Sequence, residues 1–235
     1  MMINFKPYVN KSILILAGGT STLDVKWENL DYDFVWTCNN AYKEERISNI
    51  EIDLYLIANN TDVTEKKLIN KLNENIQCKV IAEPVFMKPE KITPEKLKNF
   101  SEEIKCKVIF ENIPVKKANC PLAYTTGAGF RLINLALMTE ASSIYFSGFD
   151  GWNSSDNNKH AFNKIYGRDQ ELIKRWKQKN WDLSTNYQQA FKYFLTYKGY
   201  NRLQNLGEGF DYNLGTPISS KYFPLRKEIK QKITK

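Results

Sequence analysis

The short apolar run from Ser12 to Ala17 constrains the fold more than any other part of the chain. After Ser12 the run contains only isoleucine, leucine and alanine, and it stops at Gly18-Gly19. A strand with apolar side chains on both faces is buried on both faces, as strands of parallel sheets are. The run therefore predicts the first strand of a parallel sheet that carries helices on both sides.

Segments of similar shape recur along the chain without an internal repeat or an interrupting linker. Strands are predicted at 33–38, 53–58, 79–82, 143–148 and 201–206, and helices at 64–75, 130–138 and 186–197. This alternation predicts an α/β fold with a single doubly wound, mainly parallel Rossmann-like sheet. The stretch from Glu83 to Lys117 contains four prolines and dense lysine, so we expect it to be the least regular part of the first half.

The domain organisation follows from the same pass along the chain. We expect one ligand-binding domain over residues 1–215, with a mobile lid around 151–185 that begins in a polar stretch, and a basic tail over 216–235. No apolar stretch approaches the roughly 18 residues of a membrane helix, and residues 1–10 lack the apolar centre of a secretory signal. We therefore expect a cytoplasmic protein, with contact at the inner membrane face as one use of the tail.

The net charge of +8 favours an anionic partner but does not identify it. A nucleotide, a phosphorylated carrier, an anionic membrane surface and a nucleic acid are all compatible with this charge. The four cysteines, at positions 38, 78, 106 and 120, lack the spacing of a zinc site or a disulfide scaffold. We therefore expect isolated thiols and no structural metal.

Small polar residues follow the predicted strands, at the edge where ligands of doubly wound sheets bind. Glycines allow the backbone to approach a phosphate, a helix N-terminus attracts it, and asparagine can bind a ribose or a base edge. Each residue is also an ordinary turn former, so only their coincidence indicates a nucleotide site. The candidates are Gly18, Gly19, Thr20, Ser21, Asn39, Asn59, Thr125, Thr126, Gly127, Gly148 and Asp150.

Several of these segments resemble motifs of glycosyltransferase family 42, the bacterial sialyltransferases that use CMP-sialic acid. The segment 13–23 resembles the opening strand and glycine turn of this family, and 36–39 and 58–59 resemble strands whose terminal asparagine contacts the donor. The segment 124–127 is similar to a Thr-Ser-Gly motif before the central helix, and Ile-Tyr-Phe-Ser-Gly-Phe-Asp at 144–150 is the most specific likeness. The resemblance spans 13–206, leaves 83–117 unmatched, and implies a GT-A-like variant of the fold.

The resemblance implies a transfer from a nucleotide sugar such as CMP-sialic acid, without a metal or other cofactor, to a hydroxyl of a glycan, a lipid or a modified nucleobase. A histidine would act as the base and two tyrosines would hold the leaving phosphate, and homo-oligomers are common among such enzymes. This sequence departs from that pattern, since Trp152 and His160 stand in place of the tyrosines, and Trp181-Asp182-Leu183 in place of the histidine. The candidate bases are therefore His160, Asp182 and Asp150.

Two other functions remain open. The wider Rossmann-like superfamily includes proteins like 6-hydroxymethylpterin pyrophosphokinase, which would use ATP and magnesium held by carboxylates. The basic surface and the many aromatic residues are also compatible with a non-catalytic nucleic-acid-binding protein. Magnesium dependence of nucleotide binding would indicate the first, and steeply salt-dependent DNA binding without nucleotide binding would indicate the second.

Overall fold

A computed structural model describes residues 4–19, 21–58, 61–83, 93–110, 127–149, 193–207 and 226–234. The strands are β1 Ser12–Leu16, β2 Phe34–Cys38, β3 Leu54–Ile57, β4 Lys79–Ala82, β5 Lys107–Phe110, β6 Ser143–Ser147 and β7 Leu203–Asn205. The α-helices are α1 Ser21–Asp24, α2 Glu45–Ser48, α3 Lys66–Glu74, α4 Pro94–Glu103, α5 Ala128–Leu137 and α6 Lys227–Thr234. Short 3₁₀ turns cover Lys6–Tyr8, Trp27–Asn29, Asn39–Lys43 and Tyr200–Arg202.

Within these described ranges the seven strands form one sheet in the order β5-β4-β3-β2-β1-β6-β7. Every neighbouring pair is parallel. The chain therefore moves outward from β1 to β5 and returns to the other side of β1 at β6. This confirms the predicted doubly wound sheet.

The interior strand β1 is buried on both faces, as its apolar run predicts. Ile13 and Ile15 pack in one core cluster together with α5, whereas Leu14 and Leu16 pack in a second cluster with residues of α3, α4 and α6. All four side chains are fully buried. Helices thus cover both faces of the sheet, and the carboxyl ends of its strands share one edge.

Residues 93–110, which lie in the region predicted to be the least regular, have regular secondary structure. They form α4 and β5, and β5 adds to β4 as an edge strand. The start of α4 is encoded locally, because the Thr93 hydroxyl accepts a hydrogen bond from the Lys96 backbone nitrogen at 3.2 Å and Pro94 occupies the first helical turn. Pro94, one of the four prolines that predicted irregular structure, therefore starts a helix.

The predicted basic tail includes the helix α6. Ile229 and Ile233 of α6 are buried in a core cluster, so this helix docks on the domain. The Asn29 side chain donates to the Lys232 carbonyl at 3.0 Å, and the Lys232 ammonium pairs with Asp31 at 2.6 Å. The basic residues of α6 are therefore the outer face of a packed amphipathic helix.

Three of the four cysteines lie in the described residues and match the expected isolated thiols. Cys38, Cys78 and Cys106 are buried and free. Burial raises the pKa of each of these thiols, to about 12 for Cys38. Such thiols are unreactive packing groups at neutral pH, and Cys120 lies outside the described residues.

Some predictions fall on parts of the chain that the structure does not describe. The lid at 151–185 and most of the predicted helix at 186–197 are outside the described ranges. The boundary at 215 likewise stays a prediction. None of the described helices has the length and apolar character needed to cross a membrane.

Two aspartates at the amino ends of neighbouring strands have contrasting environments. Asp33 precedes β2, and Asp53 precedes β3. Burial raises the pKa of Asp53 to about 6, although one of its oxygens accepts from the Val35 backbone nitrogen at 2.7 Å. Hydrogen bonds from the Ser12 nitrogen and the Lys11 ammonium instead lower the pKa of Asp33. The contributions of the two carboxyls to folding stability therefore change in opposite directions as the pH rises.

We predict that Asp53→Asn gains stability relative to the native protein as the pH rises from 4 to 7. The folded state favours the protonated carboxyl of Asp53 because its pKa is raised there. The contribution of Asp53 to stability is therefore largest below the unfolded pKa of about 3.9 and is lost as the pH rises through about 6. Asparagine removes that loss and can still accept from Val35. Urea unfolding across this pH range measures the difference.

The matched control is Asp33→Asn, for which the sign is opposite. Because the pKa of Asp33 is lowered in the folded state, its carboxylate stabilises the protein above the unfolded pKa. This stabilisation is lost as the pH falls. This variant should therefore lose stability relative to the native protein as the pH rises. Parallel pH profiles for Asp53→Asn and the native protein would contradict the assignment.

Candidate functional site

The strand order reverses between β1 and β6, and this is where doubly wound sheets bind ligands. The two strands pair over five residues, ending with Leu16 opposite Ser147. Beyond them the Ala17 nitrogen donates to the Ser147 carbonyl at 2.9 Å, and the Gly19 nitrogen donates to the Gly148 carbonyl at 2.8 Å. Two turns that are about 130 residues apart in the sequence thus lie side by side and together form the β1–β6 wall of the switch point.

This wall requires glycine at position 148. Gly148 has φ +82°, which disfavours other residues, and a Cβ built there would lie 2.2 Å from the Ala17 carbonyl oxygen and 2.4 Å from the Thr22 hydroxyl. The Thr22 hydroxyl itself donates to the Ala17 carbonyl at 2.7 Å. The glycine therefore lets two strand ends approach more closely than any side chain would permit.

Ser21, which follows β1, stabilises the same wall through hydrogen bonds to the end of β6. Its hydroxyl accepts from the Gly148 backbone nitrogen at 2.8 Å and lies 3.3 Å from the Ser147 hydroxyl. The side chain is 7% exposed. These contacts give Ser21 a definite structural role, and its predicted contact with a ligand stays a prediction.

Arg46 stabilises the segment that follows the glycine turn. Its guanidinium donates to the carbonyls of Leu23 and Val25, at the end of α1, and forms two hydrogen bonds with Glu28 at 2.6 and 2.7 Å. It also lies 4.9 Å from the centre of the Trp27 ring. This cluster fixes the carboxyl end of α1 and thereby the turn that precedes it.

Asn39 ends β2 in a left-handed conformation, with φ +52°. Its Oδ1 accepts from the Ala58 backbone nitrogen at 2.9 Å and from the Thr61 hydroxyl at 3.3 Å. The side-chain nitrogen has no hydrogen-bond partner among the residues described, and the side chain is partly exposed. Asn39 therefore joins the ends of β2 and β3 and presents an amide donor at the carboxyl edge of the sheet.

The amino end of α5 packs against the β1–β6 wall. A Cβ at Gly129 would lie 2.9 Å from the Phe149 ring and 3.0 Å from the Ala17 side chain, so the helix is in close contact there. Gly127 precedes the helix and provides no side-chain cap. The backbone nitrogens and the positive end of the dipole of this ten-residue helix thus lie at the switch point.

A buried ion pair anchors α5 to the sheet one turn further along. Arg131 and Glu83 form a salt bridge with Nε and Oε2 2.5 Å apart, and their side chains are 4% and 0% exposed. Glu83 follows β4, and its nitrogen donates to the Ile57 carbonyl of β3 at 3.1 Å. Removing one member of such a pair typically costs about 3–5 kcal/mol, so it holds α5 firmly over the strand ends.

The structure brings together six of the predicted ligand-binding residues at one edge of the sheet. Gly18, Gly19, Ser21 and Gly148 lie at the ends of β1 and β6, and Gly127 precedes α5. Asn39 lies at the end of β2, beside β1. Outside the described residues lie Thr20, Asn59, Thr125, Thr126, Asp150, Trp152, His160 and Asp182.

Sequence reasoning missed the residues that support this edge. Thr22 and Arg46 act by hydrogen bonding to backbone carbonyls, which leaves no sequence pattern. Glu83 and Arg131 are 48 residues apart, and no local periodicity links them. The charged residue on the otherwise uncharged, mostly apolar α5 was the one available signal, because a fully buried arginine requires a buried partner.

The same fold occurs in two complexes of the sialyltransferase CstII from Campylobacter jejuni. The complex with the substrate analogue cytidine-5'-monophosphate has a TM-score of 0.57 and 17% sequence identity, covering 94% of this chain and 87% of CstII. The complex with CMP-3FNeuAc has a TM-score of 0.53 at the same identity and coverage. This chain shares the fold of CstII. The sialyltransferase resemblance predicted from the sequence is confirmed at the level of fold, whereas no family model and no curated protein matches the chain.

We predict that Gly148→Ala destabilises the protein by about 2–4 kcal/mol, because the added Cβ meets the Ala17 carbonyl and the φ is left-handed. Gly127→Ala is the matched control. An added Cβ there meets nothing within 4 Å, so the change should stay within about 0.5 kcal/mol. Urea unfolding of both variants tests this, and equal losses would contradict the account of the wall.

Proposed function

We propose that this protein is a glycosyltransferase that moves a sugar from a CMP-linked donor, of the CMP-sialic acid class, to a hydroxyl acceptor. The observation that carries the proposal is the gathering of Gly19, Gly148, the amino end of α5 and Asn39 at the switch point of a CstII-like sheet. These groups are of the kinds that bind a nucleoside monophosphate. Glycine backbones and a helix N-terminus suit its phosphate, and a side-chain amide suits its base or ribose.

The proposed reaction leaves CMP as the product. The bond between the anomeric carbon of the sugar and the phosphate oxygen breaks, and its electron pair leaves with CMP. A new bond joins the same carbon to the acceptor oxygen, whose proton passes to a base. His160, Asp182 and Asp150 are the proposed bases, and all three lie outside the described residues.

The acceptor and the metal requirement are further parts of the proposal. A hydroxyl on a glycan, a lipid or a modified nucleobase would serve, and a basic protein favours an acceptor with negative charge nearby. We propose that the transfer needs no metal ion, in contrast to an ATP-dependent pyrophosphokinase. Chelation by EDTA distinguishes the two reactions.

We predict that CMP at a hundredfold excess over its Kd stabilises the protein by about 2.7 kcal/mol, which raises the Tm by about 5–10 °C. UMP and AMP should give smaller shifts, and EDTA should leave the CMP shift unchanged. A thermal-shift measurement with each nucleotide, with and without magnesium, tests this. A shift with ATP that requires magnesium would contradict the proposal in favour of the pyrophosphokinase, and no shift with any nucleotide would contradict it outright.

The structure also offers a pair of asparagines to locate the site. Asn39→Asp keeps the oxygen that accepts from Ala58 but replaces the amide donor with a negative oxygen, so it should abolish most of the CMP shift. Asn10→Asp is the control, because Asn10 is also left-handed, at φ 57°, but lies just before β1 at the opposite edge. The control should keep the shift.

A further inference from the structure

Tyr55 of β3 places a hydroxyl group in an otherwise apolar part of the sheet. The side chain is fully buried and packs with Ile57, Leu14 and Leu16 in one core cluster. A buried hydroxyl is costly unless it is hydrogen bonded, and phenylalanine would fill the same space without this cost. The hydroxyl of Tyr55 therefore needs a specific reason to be there.

That reason lies in its two hydrogen bonds to the turn after β2. The Tyr55 hydroxyl donates to the Asn39 carbonyl at 2.6 Å and accepts from the Tyr42 backbone nitrogen at 3.1 Å. Burial raises the pKa of Tyr55 well above its usual value, so the hydroxyl stays protonated and continues to donate. Tyr55 thus binds both ends of the first turn of the Asn39–Lys43 segment.

The same turn is held from a second direction through the side chain of Asn39. Its Oδ1 accepts from Ala58 and from the Thr61 hydroxyl, and both residues follow β3. The backbone carbonyl and the side-chain oxygen of Asn39 are therefore both fixed by the strand that contains Tyr55. With its oxygen used in this way, Asn39 has only the two hydrogens of its amide nitrogen to offer a ligand.

We propose that Tyr55, assisted by Thr61, is a positioning residue that fixes Asn39 in a left-handed conformation with its amide nitrogen aimed at the cytidine part of the donor. This inference rests on the proposed function and deepens it. Tyr55 contacts no ligand in this account and acts through Asn39. Without its hydroxyl the turn samples several conformations, and only a fraction of the protein binds productively.

The test is Tyr55→Phe, with affinity for CMP measured by titration calorimetry. If the competent conformation falls to between a third and a tenth of the population, the Kd for CMP rises about three- to tenfold. In an Asn39→Asp background the same change should add no further loss, because the group it positions is absent. A full additive loss in the double variant would overturn the proposal.

Tyr8→Phe is the matched control for a merely structural effect. Tyr8 is equally buried, at 1% exposure, and its hydroxyl lies 3.4 Å from the Lys79 ammonium at the amino edge of the sheet. Because this contact is long, the loss of the Tyr8 hydroxyl should lower the free energy of unfolding by less than Tyr55→Phe does, and it should leave the Kd for CMP unchanged. Equal effects of both variants on the Kd would overturn the proposal.

A measurement on the free protein separates this proposal from the proposed function. The side-chain amide signal of Asn39, assigned by its disappearance in Asn39→Asp, should be a single sharp pair in the native protein and in Tyr8→Phe. In Tyr55→Phe it should broaden or move. If the native protein fails to bind CMP while this change occurs, the proposed function is wrong and the positioning stands; if the signal does not change, the positioning is wrong.

Discussion

The close approach of the ends of β1 and β6 is the constraint on which the rest of the structure depends. The Gly148 backbone lies so near the Ala17 carbonyl that no side chain fits between them. Ser21 and Thr22 then complete the contact with hydrogen bonds that use the hydroxyl groups of the following turn. Because β2 pairs with β1 on one side of this contact and β7 pairs with β6 on the other, the contact lies at the switch point of the sheet.

Two further sets of contacts hold the elements beside this switch point. The Glu83–Arg131 pair ties α5 to the end of β4, so the helix amino end stays over the neighbouring strand ends. Asn39 is held by hydrogen bonds from the β3 strand and the segment that follows it. A rigid frame of this kind lets small polar groups bind a ligand without first paying the entropy of ordering them.

Much of this fold could be predicted from the sequence, because strands that are buried on both faces have continuous apolar runs such as Ile13 to Leu16. The regular structure between 93 and 110 escaped prediction since the four prolines between 83 and 117 suggested irregularity, whereas Pro94 starts α4. The strand ends could be assigned to the site because parallel strands share one edge. The supporting contacts could not be predicted from the sequence. Arg131 contacts Glu83, and Tyr55 contacts Asn39, only because the folded sheet brings these distant residues together.

A crystal structure of the protein with CMP tests the central claim most directly. The account predicts the phosphate beside the glycine turn and the amino end of α5, with the cytidine within hydrogen-bonding distance of the Asn39 side-chain nitrogen. The ribose should lie over the carboxyl ends of β1 and β2. Cytidine bound at another face of the sheet, or bound at this edge without contact to Asn39, would contradict the account.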